Sequence, residues 1–112
     1  MASGTINAPQ SQLIVDSVYR DNISLTTSGT GAYGNYVFDA DHSADITKAG
    51  YTPIAIAGWQ ISVASSSGTN ASYVMCYGAT LSSTTSATMS VRNVGSSSAK
   101  IKMTIYILYR KD

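Results

Sequence analysis

From Ala99 to Arg110 apolar and other side chains alternate residue by residue. Ile101, Met103, Ile105, Ile107 and Tyr109 fall on one side, and Lys100, Lys102, Thr104, Tyr106, Leu108 and Arg110 on the other. Successive side chains of a strand point to opposite faces, so this pattern predicts a β-strand with one face in a core. The second face turns apolar at Tyr106, which predicts a central strand that ends covered on both sides. Ala87 to Asn93 repeats the alternation, with Ala87, Met89 and Val91 inward, and Val94–Ser98 reads as the hairpin loop between the two. Ser72 to Leu81 sets Tyr73, Met75, Tyr77 and Leu81 against Val74 and Cys76. In Pro53–Val63 the phase changes: Ile54 and Ile56 share one face, Trp59, Ile61 and Val63 the other. A β-bulge at Gly58 would rotate the strand and re-aim Trp59, which is expected in the core with Met89, Val91, Ile105 and Ile107.

Leu13–Val18, Ile23–Thr27 and Asn35–Asp39 are three shorter strand candidates. Asp45–Gly50 hints at a single helical turn, with Asp45 as N-cap and Gly50 as its stop. The sum is about seven strands, little or no helix, and Ser/Thr/Gly/Asn loops between. That profile belongs to an all-β fold, an antiparallel β-sandwich of jelly-roll type, occupying 1–112 as one domain with 1–11 as a neck-like leading segment. No repeat of 20 to 50 residues argues for a propeller or solenoid.

Composition sharpens this. Only 12% of the residues are charged, and 18 Ser, 12 Thr and 9 Gly fill the gap, with no Glu at all. A surface so short of charge predicts either burial between identical copies or a coat of hydroxyls and amides. A net charge of +1 gives no grip on nucleic acid. No apolar run approaches the roughly 20 residues of a membrane span, and the first residues show no signal peptide.

Little catalytic chemistry is visible. His42 is the single histidine, and no serine lies in a G-x-S-x-G turn, so no enzyme and no cofactor are expected. Cys76, within an apolar strand, reads as a small buried hydrophobe. Asp39, Asp41 and Asp45 with His42 are close enough in sequence to hold a hard cation, but equally suit a solvated turn, which is the preferred reading. The sequons at Asn22 and Asn70 read as chance matches in a Ser/Thr-rich chain. Eight tyrosines are more informative. Tyr33 and Tyr36 sit in a Gly-rich stretch, and Asn70 and Tyr73 follow a soft Ser/Gly loop. Tyrosine beside Asn and Ser suits adaptable recognition and stacking on sugars, so Tyr33, Tyr36, Asn70 and Tyr73 are the candidate ligand-binding residues. The competing reading places these rings at the border of the core or on an intersubunit seam.

The run Asp45-Ile46-Thr47-Lys48-Ala49-Gly50-Tyr51-Thr52-Pro53-Ile54-Ala55-Ile56-Ala57-Gly58-Trp59 resembles the opening of a C-terminal head domain of bacteriophage tail-fibre and baseplate proteins. The resemblance continues through Ala87–Asn93 and Ile105–Lys111, covering roughly Ala44 to Asp112. It implies a β-sandwich head on the virion, a homotrimer, and adhesion to a host cell-surface saccharide or protein, with neither nucleic-acid binding nor membrane insertion. Such a protein is made in the host cytoplasm and works outside it. The rival expectations are a structural virion protein that touches no receptor, and a bacterial carbohydrate-binding or adhesin module.

Overall fold

The structure is a computed structural model and describes residues 12–112. The neck-like segment 1–11 lies outside the described residues. Six strands are present among those described: β1 (Leu13–Leu25), β2 (Tyr33–Phe38), β3 (Tyr51–Val63), β4 (Val74–Leu81), β5 (Ala87–Asn93) and β6 (Ala99–Lys111). They form two antiparallel sheets, ordered β1-β6-β3 and β2-β5-β4. β1 pairs with β6 and β2 with β5, while β3 lies against β4 where the sheets meet. This is a long hairpin folded over itself into a sandwich, the jelly-roll pattern in six strands. The fold class read from the alternation is the one observed.

β6 is central to its sheet, and Ile101, Met103, Ile105 and Ile107 are fully buried on its inward face. Met89 and Val91 of β5 meet them from the other sheet, and Leu25, Phe38, Ala44 and Ile46 close the core. Each of these larger aliphatic side chains contributes roughly 1.5–3 kcal/mol by leaving water. The outward face of β6 is only half-buried through Tyr106 and Leu108, so the expected cover on both sides is not complete in the single chain.

Three expectations about elements need correction. The first two candidate strands are one strand: β1 runs through Tyr19–Asn22, and a bulge between Arg20 and Ile23, with Asn22 at φ 56°, accounts for the gap in the pattern. Asp45–Gly50 makes no helical turn. Asp45 Oδ1 accepts instead from the Thr47 amide at 2.9 Å and the Thr47 hydroxyl at 2.7 Å, and Gly50 at φ 80° serves the tight turn closed by Tyr51 N donating to Lys48 O. Helical geometry occurs upstream, as a 3-10 turn over Ala40–His42 whose His42 amide donates to Asp39 Oδ1 at 3.1 Å. Finally, Val94–Ser98 is no hairpin, since Asn93 and Ala99 belong to different sheets. Of the loops between strands, only Ser82–Ser86, between β4 and β5, stays within a sheet.

The bulge anticipated near Gly58 is present. β3 slips register between Ile56 and Gly58 and also between Pro53 and Ala55. The two slips turn Ile54 outward and leave Ile56, Trp59 and Ile61 opposite Ile107, Ile105 and Met103. Trp59 is not core, however, and remains 47% exposed. β3 is an edge strand of its sheet, so an inward position there has a neighbour strand on one side only and the large indole overhangs the rim. A further bulge between Cys76 and Gly78 moves Leu81 to the inward side with Val74 and Cys76, away from Tyr73, Met75 and Tyr77.

Candidate functional site

Strand direction decides which loops meet. β1 begins opposite the last residues of β6, with Leu13 facing Arg110, and ends with Leu25 facing Ala99. β3 also ends there, with Val63 opposite Ile101. β2 and β4 both run antiparallel to β5 and start beside its last residues, with Tyr33 opposite Arg92 and Val74 opposite Asn93. The loops Thr26–Ala32, Ala64–Tyr73 and Val94–Ser98 therefore gather at one end of the sandwich, opposite the start of β1 and the close of β6.

Asn93 ties this far end together. It continues the inward row Ala87, Met89, Val91 and is 1% exposed. Its Nδ2 donates to Thr26 O at 3.1 Å and Ser97 O at 2.9 Å, and its Oδ1 accepts from Gly95 N at 2.9 Å. One buried amide thus fixes the exit of β1 and the β5–β6 loop. The third loop is pinned to the same place: Asn70, at φ 54°, donates Nδ2 to Ser98 O at 2.8 Å, and Thr69 exchanges backbone hydrogen bonds with Lys100. A side chain at Gly68 would run into the Ala64 backbone, so only glycine lets this loop close so tightly.

Three of the four candidate ligand-binding residues belong to this end. Tyr33, 48% exposed, stands on the outward face of β2, and the Arg92 guanidinium lies 4.8 Å from its ring centre. Tyr73, 52% exposed, packs against Gly95, where an added Cβ would come within 2.8 Å of it. Asn70 precedes it by one 3-10 turn. Tyr33 and Tyr73 flank β5 from either side, Tyr33 opposite Arg92 and Tyr73 beside Val94. Tyr36 is placed differently. Three residues from Tyr33 in a strand, it faces inward opposite Met89, half-buried beside the Arg20 guanidinium, and burial raises its phenol pKa. Its ring occupies the space a side chain at Gly34 would need.

A shallow cleft of about 440 Å³ opens beside Tyr33, lined by Thr27, Ser28, Gly29, Thr30, Ala32 and Arg92. Its Thr26–Gly31 rim is held by Thr26 N donating to Gly31 O at 3.1 Å and Thr26 Oγ1 donating to Ser28 O at 3.2 Å. The sequence pattern drew attention to the tyrosines but passed over Arg92 and Asn93. An asparagine on the inward phase of an otherwise apolar strand is the signal that marks Asn93.

At the opposite end Asp39, Asp41 and Asp45 line a second shallow cleft of about 360 Å³. Asp39 accepts from His42 Nδ1 at 2.7 Å, and this contact holds its carboxyl below the usual range. Among the described residues no three His, Cys, Asp or Glu side chains converge as a metal site would require. Cys76 is half-buried, with burial pushing its thiol pKa up and its Sγ donating to Gly78 O. Among the described residues no helix is long and apolar enough to cross a membrane.

No family model, curated protein or solved structure matches this chain.

Proposed function

We propose that this domain is the receptor-binding head of a phage tail protein, working as a homotrimer and adhering through its far end to a host cell-surface saccharide. The observation that carries the reading is the convergence of Tyr33, at the start of β2, with Asn70 and Tyr73, on the β3–β4 loop, at the end opposite the start of β1. A fibre entering at β1 would present that end outward. Exposed tyrosine rings supply flat apolar area for the C–H face of a sugar, and Asn70 and the loop hydroxyls supply donors and acceptors. Single contacts of this kind are weak, so identical copies would add avidity. Self-association is supported by Leu13, Val15 and Tyr19, all exposed on the outward face of β1, and by Trp59 and Val63 on β3.

Tyr33→Ala and Tyr73→Ala should keep the far-ultraviolet circular dichroism and particle size of the parent while losing adhesion to host cells. Parent-like adhesion of both variants overturns the site. Light scattering that finds only an 11.7 kDa species at high concentration overturns the trimer. The same exposed apolar side chains favour a second reading, a structural virion protein whose β1 and β3 dock on a partner; it requires that the tyrosine variants leave attachment to cells untouched and that substitutions at Val15 and Trp59 disrupt assembly.

A further inference from the structure

We infer that the far end selects an anionic saccharide, with Arg92 as the residue that reads the acidic group. The inference rests on the receptor-head reading and deepens it. Charge is divided along the sandwich. Arg20, Arg92, Lys100 and Lys102 lie in the far half with Asp21, whereas Asp16, Asp39, Asp41, Asp45 and Asp112 lie in the near half with Lys48, Arg110 and Lys111. A nearly neutral chain therefore carries a net positive far half, and charges so separated act independently beyond a Debye length of about 8–10 Å.

The cleft beside Tyr33 concentrates this field. Thr27, Ser28 and Thr30 line it with hydroxyls, Tyr33 and Arg92 complete it, and no carboxylate lines it. Arg92 is exposed and makes no ion pair among the described residues; the two salt bridges there use His42 and Lys48. Its guanidinium stacks 4.8 Å from the centre of the Tyr33 ring. The Arg92 guanidinium donates no side-chain hydrogen bond among the described residues, so its N–H groups remain available to a carboxylate or phosphate while the Tyr33 ring holds it in place. The ring that holds Arg92 keeps its own exposed surface for a sugar. One side-chain pair thus offers an apolar platform and an anion fork side by side, with hydroxyls beyond. A uronate carboxylate and a phosphodiester in a glycan chain share the chemistry this pair would recognise.

Titration calorimetry of the intact oligomer with three probes tests this: galacturonic-acid oligomers, the same oligomers fully methyl-esterified, and glycerol-phosphate oligomers. At least one anionic probe should bind ten-fold or more tighter than the ester, and raising salt to 0.5 M should shrink that preference several-fold. The carboxylate and phosphodiester arms tell the two sources apart. Arg92→Gln, with an unchanged melting curve, should abolish the preference, whereas Arg92→Lys should restore part of it. Equal binding of acid and ester, retention of the preference in Arg92→Gln, or no binding of any probe at millimolar concentration overturns the inference. If acid and ester bind equally while Tyr33→Ala still loses adhesion to cells, the anion reading falls and the receptor-head reading stands. If the acid preference holds but the tyrosine variants adhere like the parent, the head reading falls instead.

Discussion

Replacing Asn93 with Ala should be among the most damaging changes to this chain outside the aliphatic core. Three hydrogen bonds of 2.9–3.1 Å vanish, those to Thr26 O, Ser97 O and from Gly95 N, together with a long one to Leu25 O at 3.5 Å. Each is worth about 0.5–1.5 kcal/mol net, and groups left unpaired add a desolvation cost, so a loss of roughly 2–4 kcal/mol is expected. For a domain near this length that lowers the melting temperature by about 10–25 °C. Asn93→Asp separates the parts of the effect. It keeps the shape and the acceptor for Gly95 but aims a second acceptor at two carbonyls in a site 1% exposed. Burial raises the pKa of the introduced carboxyl above its unfolded value near 3.9. Its ionised form is therefore the disfavoured one, and the deficit relative to the parent should be largest at neutral pH and narrow as pH falls toward 4. Denaturant unfolding at several pH values reads both effects. A shift of less than about 3 °C for Asn93→Ala, or a pH-independent deficit for Asn93→Asp, would refute the clamp.

Ile105→Ala should cost roughly 2–5 kcal/mol as a cavity at the centre of the sandwich, read from the urea midpoint; a loss under about 1 kcal/mol would mean the cavity collapses freely. Acid should destabilise the fold late. Asp16, Asp21, Asp39 and Asp45 all have lowered pKa values, mainly from hydrogen bonds donated by Ser17, Ser65, His42 and Thr47. Their stabilisation is complete above the unfolded carboxyl value of about 3.9 and drains away as pH drops through the lowered folded values. Their urea midpoint contribution should hold from pH 7 to 5 and fall below about 4; an earlier fall would point to another group.

Strict alternation was enough to find β5 and β6 and to place Met89, Val91, Ile105 and Ile107 in the core, because a buried face in a strand repeats every second residue whatever the strand pairs with. It also located the irregularity near Gly58, since a bulge shifts the phase of every residue beyond it. Local pattern has no access to partners, however. The gap at Tyr19–Asn22 looks like a loop in the sequence but is carried through by pairing to β6. Val94–Ser98 has the composition of a hairpin yet crosses between sheets, a matter of which strands lie across the core. Trp59 sits at an inward phase, but its exposure depends on β3 being an edge. Residue type and surrounding loop composition single out the tyrosines as candidates for recognition. That Tyr33, Asn70 and Tyr73 share one end, that Tyr36 turns inward, and that Arg92 stacks on Tyr33 follow only from strand direction and register. Residue type sets what a side chain can do; in a sandwich built from long-range pairings, the register decides which of them stand together.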